Sequence, residues 1–555
     1  MSDPRHMAHS IPGADMVATS YCAGESGEEL LDETVGSLLR RAARLAPDTV
    51  ALVEGVPNPA ERRRWTYAEL LDESERAARA LLGRFSPGDR VAVWANNIPE
   101  WVILELAAAL ADITLVTVNP ALREAELRHV LGHSRAAGVF LRREYRGNPM
   151  ARTLADIRAD LPDLHTSVLF EDWADFCAEA SPDRALPEVD ASAPAQIQYT
   201  SGTTGIPKGV ILHHRGITNN ARLAYVRTFG LQPGEAALNP MPLFHTAGCV
   251  LATLASIISL GTHVLPPHFE PGLMLELTES ESCAVMGGVP TMLIAMLEHP
   301  ALPRTDLSSL RYILSGGASV PPELVRRIEE VFGVPMAIIY AQTEASPGIT
   351  ITRLDDTPED RAHTVGRPLP LTEVKIVDAA GAVVPPGTTG ELCTRGYHVM
   401  TGYLDAPDAT AAAIDPDGWL HTGDLASMDE RGYCRIEGRL KDMIIRGGEN
   451  IYPREIEQVL AEHPAVAEAA VVGVPDPVWG ERVAAFIRLT PDHTAGETVD
   501  ETVLEKELFA HVRAHLAPHK TPRTWVFVEG FPLTGSGKIR KNTLREEYAA
   551  GRLPR

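Results

Sequence analysis

Residues 199–210 read Tyr199-Thr200-Ser201-Gly202-Thr203-Thr204-Gly205-Ile206-Pro207-Lys208-Gly209-Val210, a composition suited to holding a polyphosphate. Gly202 and Gly205 allow a sharp turn that brings backbone amides against an anion. Thr200, Ser201, Thr203 and Thr204 add hydroxyl donors, and Lys208 adds a cation. The Walker spacing would require glycine immediately before the lysine; Pro207 stands there, which excludes a P-loop of that kind. The plain alternative is a solvated Ser/Thr/Gly loop between two strands.

Further stretches carry groups that could serve the same chemistry. His245 lies in Pro240-Met241-Pro242-Leu243-Phe244-His245-Thr246-Ala247-Gly248, just before the apolar run 250–260. Ser315-Gly316-Gly317-Ala318-Ser319 is a glycine-rich turn ahead of Pro321-Pro322, and Tyr340-Ala341-Gln342-Thr343-Glu344 ends another apolar run. Gly418-Trp419-Leu420-His421-Thr422-Gly423-Asp424 and Gly438-Arg439-Leu440-Lys441-Asp442 follow. The last two are Ile444-Ile445-Arg446-Gly447-Gly448-Glu449-Asn450-Ile451-Tyr452-Pro453 and Leu533-Thr534-Gly535-Ser536-Gly537-Lys538-Ile539-Arg540-Lys541. Each has an ordinary explanation taken singly: a hydrogen-bonded core histidine, strand-to-helix turns, a Thr-Gly-Asp turn, a solvated basic tail. The adjacent pair His213-His214, read as part of a strand, would point to opposite faces and so makes a poor metal pair.

Taken in order, these segments resemble the motifs of the adenylate-forming superfamily, which holds acyl-CoA synthetases, adenylation domains of peptide synthetases and luciferases. The resemblance covers nearly the whole chain and is nearest to the fatty acyl-CoA synthetases. It implies a carboxylic acid activated by ATP to acyl-AMP, then passed to CoA with release of AMP. It assigns ATP contacts to Thr200, Ser201, Gly202, Thr203, Thr204, Gly205, Ile206, Pro207 and Lys208, and to Gly317, Ala318, Tyr340 and Thr343. Asp424 takes the ribose hydroxyls, Arg439 completes the ribose and phosphate contacts, and Glu344 with Thr200 holds Mg²⁺; a carboxylate near a triphosphate would be repelled without a metal between them. Lys538 is implied to bridge carboxylate and α-phosphate. The catalytic set is therefore Lys538, Glu344, Thr200 and His245.

The same resemblance places His245 and Ala341 along the acyl pocket, and makes Lys441 the hinge between two domains. Arg446, Gly447, Gly448 and Glu449 would line a CoA tunnel, the glycines letting a thin thiol arm pass close to backbone. Two departures stand out: Ala341 replaces the family's glycine, which could narrow the pocket, and Asp112 replaces a glycine before a strand, expected to be a harmless helix end. Phe244-His245 lacks the aspartate that pairs an ammonium in amino-acid-activating relatives, which argues against an α-amino acid substrate. A medium- or long-chain fatty acid is the expected substrate, with an aryl-CoA ligase or a ligase loading a carrier protein as alternatives.

Bulk properties fit this picture. At 555 residues the chain needs more than one core. A net charge of -23 gives a long-range field of the wrong sign for nucleic acid or anionic membranes, and the partners that the resemblance implies are the small-molecule acid, ATP and CoA. Peripheral membrane contact and a monomer or homodimer stay open. The six cysteines are scattered without a C-x-x-C pair, the reading for reduced thiols in the cytoplasm. The run 250–260 is about half the length a bilayer needs and carries Thr253, Ser256 and Ser259, so a buried helix is expected.

The elements that must position these groups follow from pattern. Residues 30–190 alternate helical and extended segments, the arrangement of an α/β layer with parallel strands, and the resemblance extends this to a large α/β N-terminal domain over 30–440 with mixed sheets and packed helices. Within it, 90–94, 99 onward and 115–118 form a β-α-β unit, with Pro99 at a helix start and Thr66 capping another helix. The strand 196–200 should deliver the phosphate loop and 209–212 leave it. The resemblance makes 441–555 a small mobile C-terminal domain, whose helical and extended segments read as an α+β module, and 1–29 reads as a disordered lead-in.

Overall fold

In a computed structural model the protein is described over residues 17–200, 207–227, 230–318, 320–447, 449–490, 493, 501–533 and 539–553. Its large α/β part holds three sheets among the described residues, and a fourth belongs to a small α+β module. The first is parallel at its centre: Arg90–Trp94 runs beside Thr114–Val118 and Gly138–Leu141, and Pro194–Thr200 pairs parallel with Thr114–Val118. Its strands alternate between two cores. Val91 and Val93 face the main core, while Ala92 and Trp94 face a second one with Val116, Val139 and Leu154. A sheet covered on both faces is what parallel connections produce.

Helix Pro99–Leu110 explains how this sheet meets the next. Except at Glu100 it is buried all round, Glu105 included, and a helix apolar on every side must lie between other layers. It touches both Thr114–Val118 and Val50–Glu54, a strand of a nine-stranded second sheet. Pro99 occupies the first turn, where its missing amide hydrogen is of no consequence. The helix ends in a left-handed residue, Asp112 at φ 56°, with the Ile113 amide donating to the Ala108 carbonyl at 2.9 Å. Asp112 thus does what glycine does at a helix C-terminus, since a short polar side chain tolerates that conformation. Helix Tyr67–Leu81 opens on the expected Thr66 cap, reciprocated by Glu69.

The second sheet runs Met336–Ala341, Tyr312–Gly316, Cys283–Gly288 in parallel order, so the segments after Gly316 and Ala341 leave the same sheet edge. The third sheet is antiparallel and holds Thr372–Val377, Gly390–Gly396, Leu420–Met428 and Cys434–Arg439. Its outer strand corrects the expected lead-in. Tyr21–Ala23 pairs with Thr372–Val377, and the Tyr21 hydroxyl donates to Glu373 at 2.6 Å. Three mostly exposed residues carry no hydrophobic pattern of their own, which is why the sequence did not show the strand.

The pair His213-His214 is a second correction. The strand Lys208–His213 stops at His213, which caps the helix His214–Ala221 by accepting the Gly216 amide at 2.9 Å. His214 is the buried first residue of that helix, its Nδ1 accepting from the Val35 amide at 3.3 Å. The run 250–260 is buried as expected, as a π-helical turn Cys249–Leu254 followed by Ala255–Ile258.

The small module is built on Val466–Asp476 against Gly480–Leu489, again with alternate residues feeding two cores: Val471, Val483 and Ala485 on one side, Val472, Ala484 and Phe486 on the other. Helices Pro453–Ala461 and Glu501–His515 cover the first core, and Lys541–Ala549 the second. Among the described residues no helix is long and apolar enough to cross a membrane.

Candidate active site

Pro194–Thr200 and Lys208–His213 form an antiparallel hairpin in which Thr200 and Lys208 are direct partners. The expected phosphate loop is the connection between them. Ser201, Gly202, Thr203, Thr204, Gly205 and Ile206 lie outside the described residues, so the hairpin stems define its position. Gly209 in the stem is packed tightly: a Cβ there would lie 3.0 Å from Ile197 Cγ2 and 3.3 Å from Tyr199 Cζ.

Lys208 projects over the ring of Tyr403, its Nζ 4.7 Å from the centroid, and the Tyr403 hydroxyl donates to Glu344 Oε1 at 2.9 Å. Tyr403 arrives through the short strand Gly402–Tyr403, which pairs with Lys208–His213, and the Met400 amide donates to the Glu344 carbonyl at 2.9 Å. One ring therefore spaces the cation of the phosphate hairpin from the carboxylate expected at the metal. Burial and the neighbouring Glu344 carboxylate both push the Tyr403 hydroxyl above its ordinary pKa, so it stays a donor. Nothing in the sequence singled out Tyr403; its signal lay in strand pairing with Val210, far away along the chain.

A second cluster joins two segments from different sheets. The Tyr340 hydroxyl donates to Asp424 Oδ2 at 2.7 Å, and Arg439 Nε lies 3.3 Å from Asp424 Oδ1. Asp424 and Arg439 are cross-strand partners, which fixes their meeting. Burial first, then the Asp424 charge, raises the Tyr340 pKa and keeps its proton in place. Gln342 adds a strut, its Nε2 donating to the Thr422 carbonyl at 2.9 Å. Gly423 sits at φ 68°, and Asp424's amide donates to Thr422 Oγ1 at 3.1 Å, so the Thr-Gly-Asp turn is held from both sides.

The glycine-rich turn borders this cluster. Gly316 pairs with Ile339, and a Cβ on Gly316 would come within 2.6 Å of the Ile339 carbonyl oxygen, so the two strands need glycine there. Gly317 is left-handed at φ 75° and exposed together with Ala318, leaving an accessible backbone shelf next to the Tyr340 strand. Thr343 and Glu344 form the single 3₁₀ turn after Ala341, which is partly buried against the main core.

His245 caps the turn Thr246–Gly248, its Nδ1 accepting the Ala247 amide at 3.2 Å, and it is half-buried. Its carbonyl accepts from Cys249 Sγ at 3.4 Å, and Gln198, two residues before Thr200, donates to that sulfur at 3.2 Å. His245 is thereby tied to the stem of the phosphate hairpin. Three buried polar atoms in these walls, Thr246 Oγ1, Ser315 Oγ and Gln342 Oε1, have no hydrogen-bond partner among the described residues. Such atoms are costly unless something else satisfies them, which is what a bound ligand does.

The remaining predicted groups belong to the connection and the small module. Lys441 lies in the exposed 3₁₀ turn Leu440–Asp442, between Cys434–Arg439 of the third sheet and Ile444–Arg446 of the module. Arg446 pairs with Glu449 across a hairpin, its guanidinium 5.1 Å from the Trp479 ring centroid. Gly447 turns that hairpin at φ 61° and donates to the Trp479 carbonyl at 2.9 Å; a Cβ would come within 2.7 Å of the indole. Turn geometry alone thus accounts for this glycine. Gly448 and Lys538 lie outside the described residues.

Comparison with known proteins agrees with this geometry. Residues 39–404 match the model of the AMP-binding enzymes, and residues 455–538 that of the AMP-binding enzyme C-terminal domain. The chain belongs to the adenylate-forming superfamily. Within it the chain is an enzyme of the AMP-forming acid-thiol ligase class, for which ATP and CoA are co-substrates. It is 42% identical to YngI of Bacillus subtilis (strain 168), over 94% of this chain and 98% of that one. It is 37% identical to the mitochondrial medium-chain acyl-CoA ligase ACSF2 of Rattus norvegicus, over 95% of this chain and 89% of the relative. Among solved structures it resembles the anthranilate CoA ligase AuaEII in complex with anthranoyl-AMP, at TM-score 0.85 and 26% identity, covering 94% of this chain and 99% of that one.

Proposed function

We propose that this ligase activates a medium- or long-chain fatty acid to acyl-AMP and transfers the acyl group to CoA. The observation that carries the reading is the pair of contact sets Lys208–Tyr403–Glu344 and Tyr340–Asp424–Arg439, which draw together from segments of three sheets the residues expected at the phosphates, the metal and the ribose. A substrate carboxylate oxygen attacks the α-phosphorus of ATP in line, and the bond to the pyrophosphate oxygen breaks. Lys208 and the hydroxyls and amides of 200–205 receive the β- and γ-phosphates. Asp424 accepts the ribose hydroxyls, Tyr340 stacks on adenine, and Gly317, Ala318 and Thr343 complete that wall.

The oxygen donors of Glu344 and Thr200 suit a hard cation, so these residues would hold Mg²⁺, which when bound supplies charge neutralisation at the phosphates. Lys538 bridges the acid and the α-phosphate, where a mobile ammonium counters charge as the two anions meet. In the second half-reaction the small module turns about Lys441 and presents Arg446, Gly447, Gly448 and Glu449 to the site; the CoA thiolate then attacks the acyl carbon and AMP leaves. We place the domain boundary at about residue 440, between the third sheet and the module's first strand.

His245 and Ala341 flank the acyl chain in this reading. The medium-chain substrate named for the ACSF2 relative supports an aliphatic acid, while the anthranoyl-AMP in AuaEII keeps an aryl acid as the second candidate. The cytoplasm is the proposed compartment, supported by six cysteines that are all free. The deciding experiment measures AMP release from ATP, with and without CoA, across short to long aliphatic acids, benzoate and cinnamate. CoA-dependent release peaking among the aliphatic acids is the expected result. A peak at the aryl acids would replace the substrate class, and adenylate formation indifferent to CoA would point to a carrier protein as acceptor.

A further inference from the structure

Behind the Thr422–Asp424 turn, three side chains that adenylation does not use converge on the antiparallel sheet. Glu391 and Cys393 come from Gly390–Gly396, and His421 from Leu420–Met428, where it is the direct cross-strand partner of Cys393. His421 Nδ1 lies 2.8 Å from Glu391 Oε2 and 3.4 Å from Cys393 Sγ, and all three ligand atoms fall within 4.8 Å of one another. Cys393 is buried and packs with Val377 and Trp419, while Glu391 and His421 are half-buried and reachable from solvent.

We propose that Glu391, Cys393 and His421 form a binding site for one zinc-class divalent cation, separate from the magnesium expected at Glu344. Thiolate, imidazole and carboxylate are a donor set that borderline cations take and magnesium does not. Tetrahedral zinc would hold sulfur and nitrogen about 3.6 Å apart and nitrogen and oxygen about 3.3 Å apart. The site therefore needs to open by about half an ångström between His421 and Glu391 and to bring Cys393 Sγ and Glu391 Oε2, which lie within 4.8 Å, to about 3.6 Å, movements of the size that side-chain rotation supplies.

The surroundings complete it. His421 Nε2 faces Asp415 Oδ2 at 3.9 Å, so a shift of about 1 Å would make this carboxylate the hydrogen-bonded partner that orients a ligating imidazole. Glu391 Oε1 is engaged separately, accepting the Gly423 amide at 3.0 Å, so the same carboxylate can ligate through Oε2 while still holding the turn. On binding, the Cys393 thiol proton leaves to solvent and the imidazole proton moves from Nδ1 to Nε2, on the side of the Asp415 carboxylate; nothing is oxidised or reduced. The cation clamps two strands directly behind the turn that carries Asp424.

The test uses the full chain, stripped with a chelator and titrated with Co²⁺ as the probe. One equivalent should bind with a thiolate-to-cobalt charge-transfer band and the visible spectrum of a tetrahedral ion, and Zn²⁺ should displace it. Cys393→Ser should abolish the band, and Asp415→Asn, which keeps every ligand, should weaken binding by about ten- to a hundredfold. Thermal unfolding of each variant reports its folding; if Cys393→Ser does not fold, the Asp415→Asn affinity decides. A wild-type protein without the band, a band that survives Cys393→Ser, or Asp415→Asn binding as tightly as wild type would overturn the proposal.

Discussion

Replacing Tyr340 by phenylalanine removes one hydrogen bond and leaves the ring that is proposed to meet adenine. The lost bond runs to a carboxylate at 2.7 Å, and both partners are buried, Tyr340 at 9% and Asp424 at 7% exposure, so water does not readily take its place. A hydrogen bond to a charged group contributes about 1.5 to 3 kcal/mol. Asp424 keeps Arg439, its cross-strand partner at 3.3 Å, which places the loss at the lower end. About 1.4 kcal/mol corresponds to a tenfold change in an equilibrium constant. Tyr340→Phe should therefore raise the KM for ATP and the Kd for AMP about tenfold. Because the bond is present before and during the chemical step, kcat should stay within a small factor of wild type. Steady-state AMP release and calorimetric AMP titration measure these quantities, with urea unfolding as the stability control. AMP affinity unchanged alongside a clear loss of stability would refute the reasoning, since Tyr340 would then brace Asp424 without Asp424 holding the nucleotide.

Tyr403→Phe keeps the ring beneath Lys208 and deletes the hydrogen bond to Glu344, so the Mg²⁺ concentration for half-maximal activity should rise several-fold, with kcat recovering at saturating metal. Tyr403→Leu should further weaken ATP binding by the cation–π contribution of about 0.5 to 2 kcal/mol; equal Mg²⁺ titrations for wild type and Tyr403→Phe would contradict the assignment. Glu105 is fully buried, with its pKa raised well above the ordinary carboxylate value by burial, so folding favours its neutral form. The folded state then loses stability as pH rises from the unfolded carboxylate range towards the raised value. Glu105→Gln, which can still accept the Gln196 bond, should gain stability over wild type as pH increases, read by thermal unfolding between pH 5 and pH 9. His214 and His263 are depressed to about 4, and His398 to about 3, all by burial. Their unfolded value is near 6.5. The stability they permit is complete above that value and falls as pH drops below it, by up to about 4 kcal/mol per pH unit with all three contributing. Urea unfolding should show the decline setting in below about pH 6.5; a flat profile down to pH 5 would remove the buried neutral histidines from the account.

Much of the positioning framework was legible from local pattern. Thr66 and Glu69 announce a capped helix because the cap bonds join residues three apart, and Pro99 marks a first turn for an equally local reason. The strand Arg90–Trp94 reads as buried because both of its faces are apolar, one for each core. His214 was misread because one residue decides whether a strand continues or a helix begins, and the deciding bond, from the Gly216 amide to His213, depends on a side-chain orientation that composition does not reveal. Tyr21–Ala23 was missed because an exposed edge strand exists only through its partner.

By itself the sequence determined which groups are available and where along the chain they lie: Thr200 and Lys208 at either end of a glycine-rich loop, Glu344 after one strand, Asp424 in a turn. The phosphate loop rests on local composition and spacing, while the roles of Glu344 and Asp424 rest on the resemblance of their short motifs to the family's. The tertiary structure alone decided that Tyr403 stands between Lys208 and Glu344, that Tyr340 bonds Asp424 across 84 residues, and that Glu391 and Cys393 meet His421. Sheet order and register set such pairs. They are fixed by the burial of whole strand faces against one another, a constraint that no short window of sequence contains.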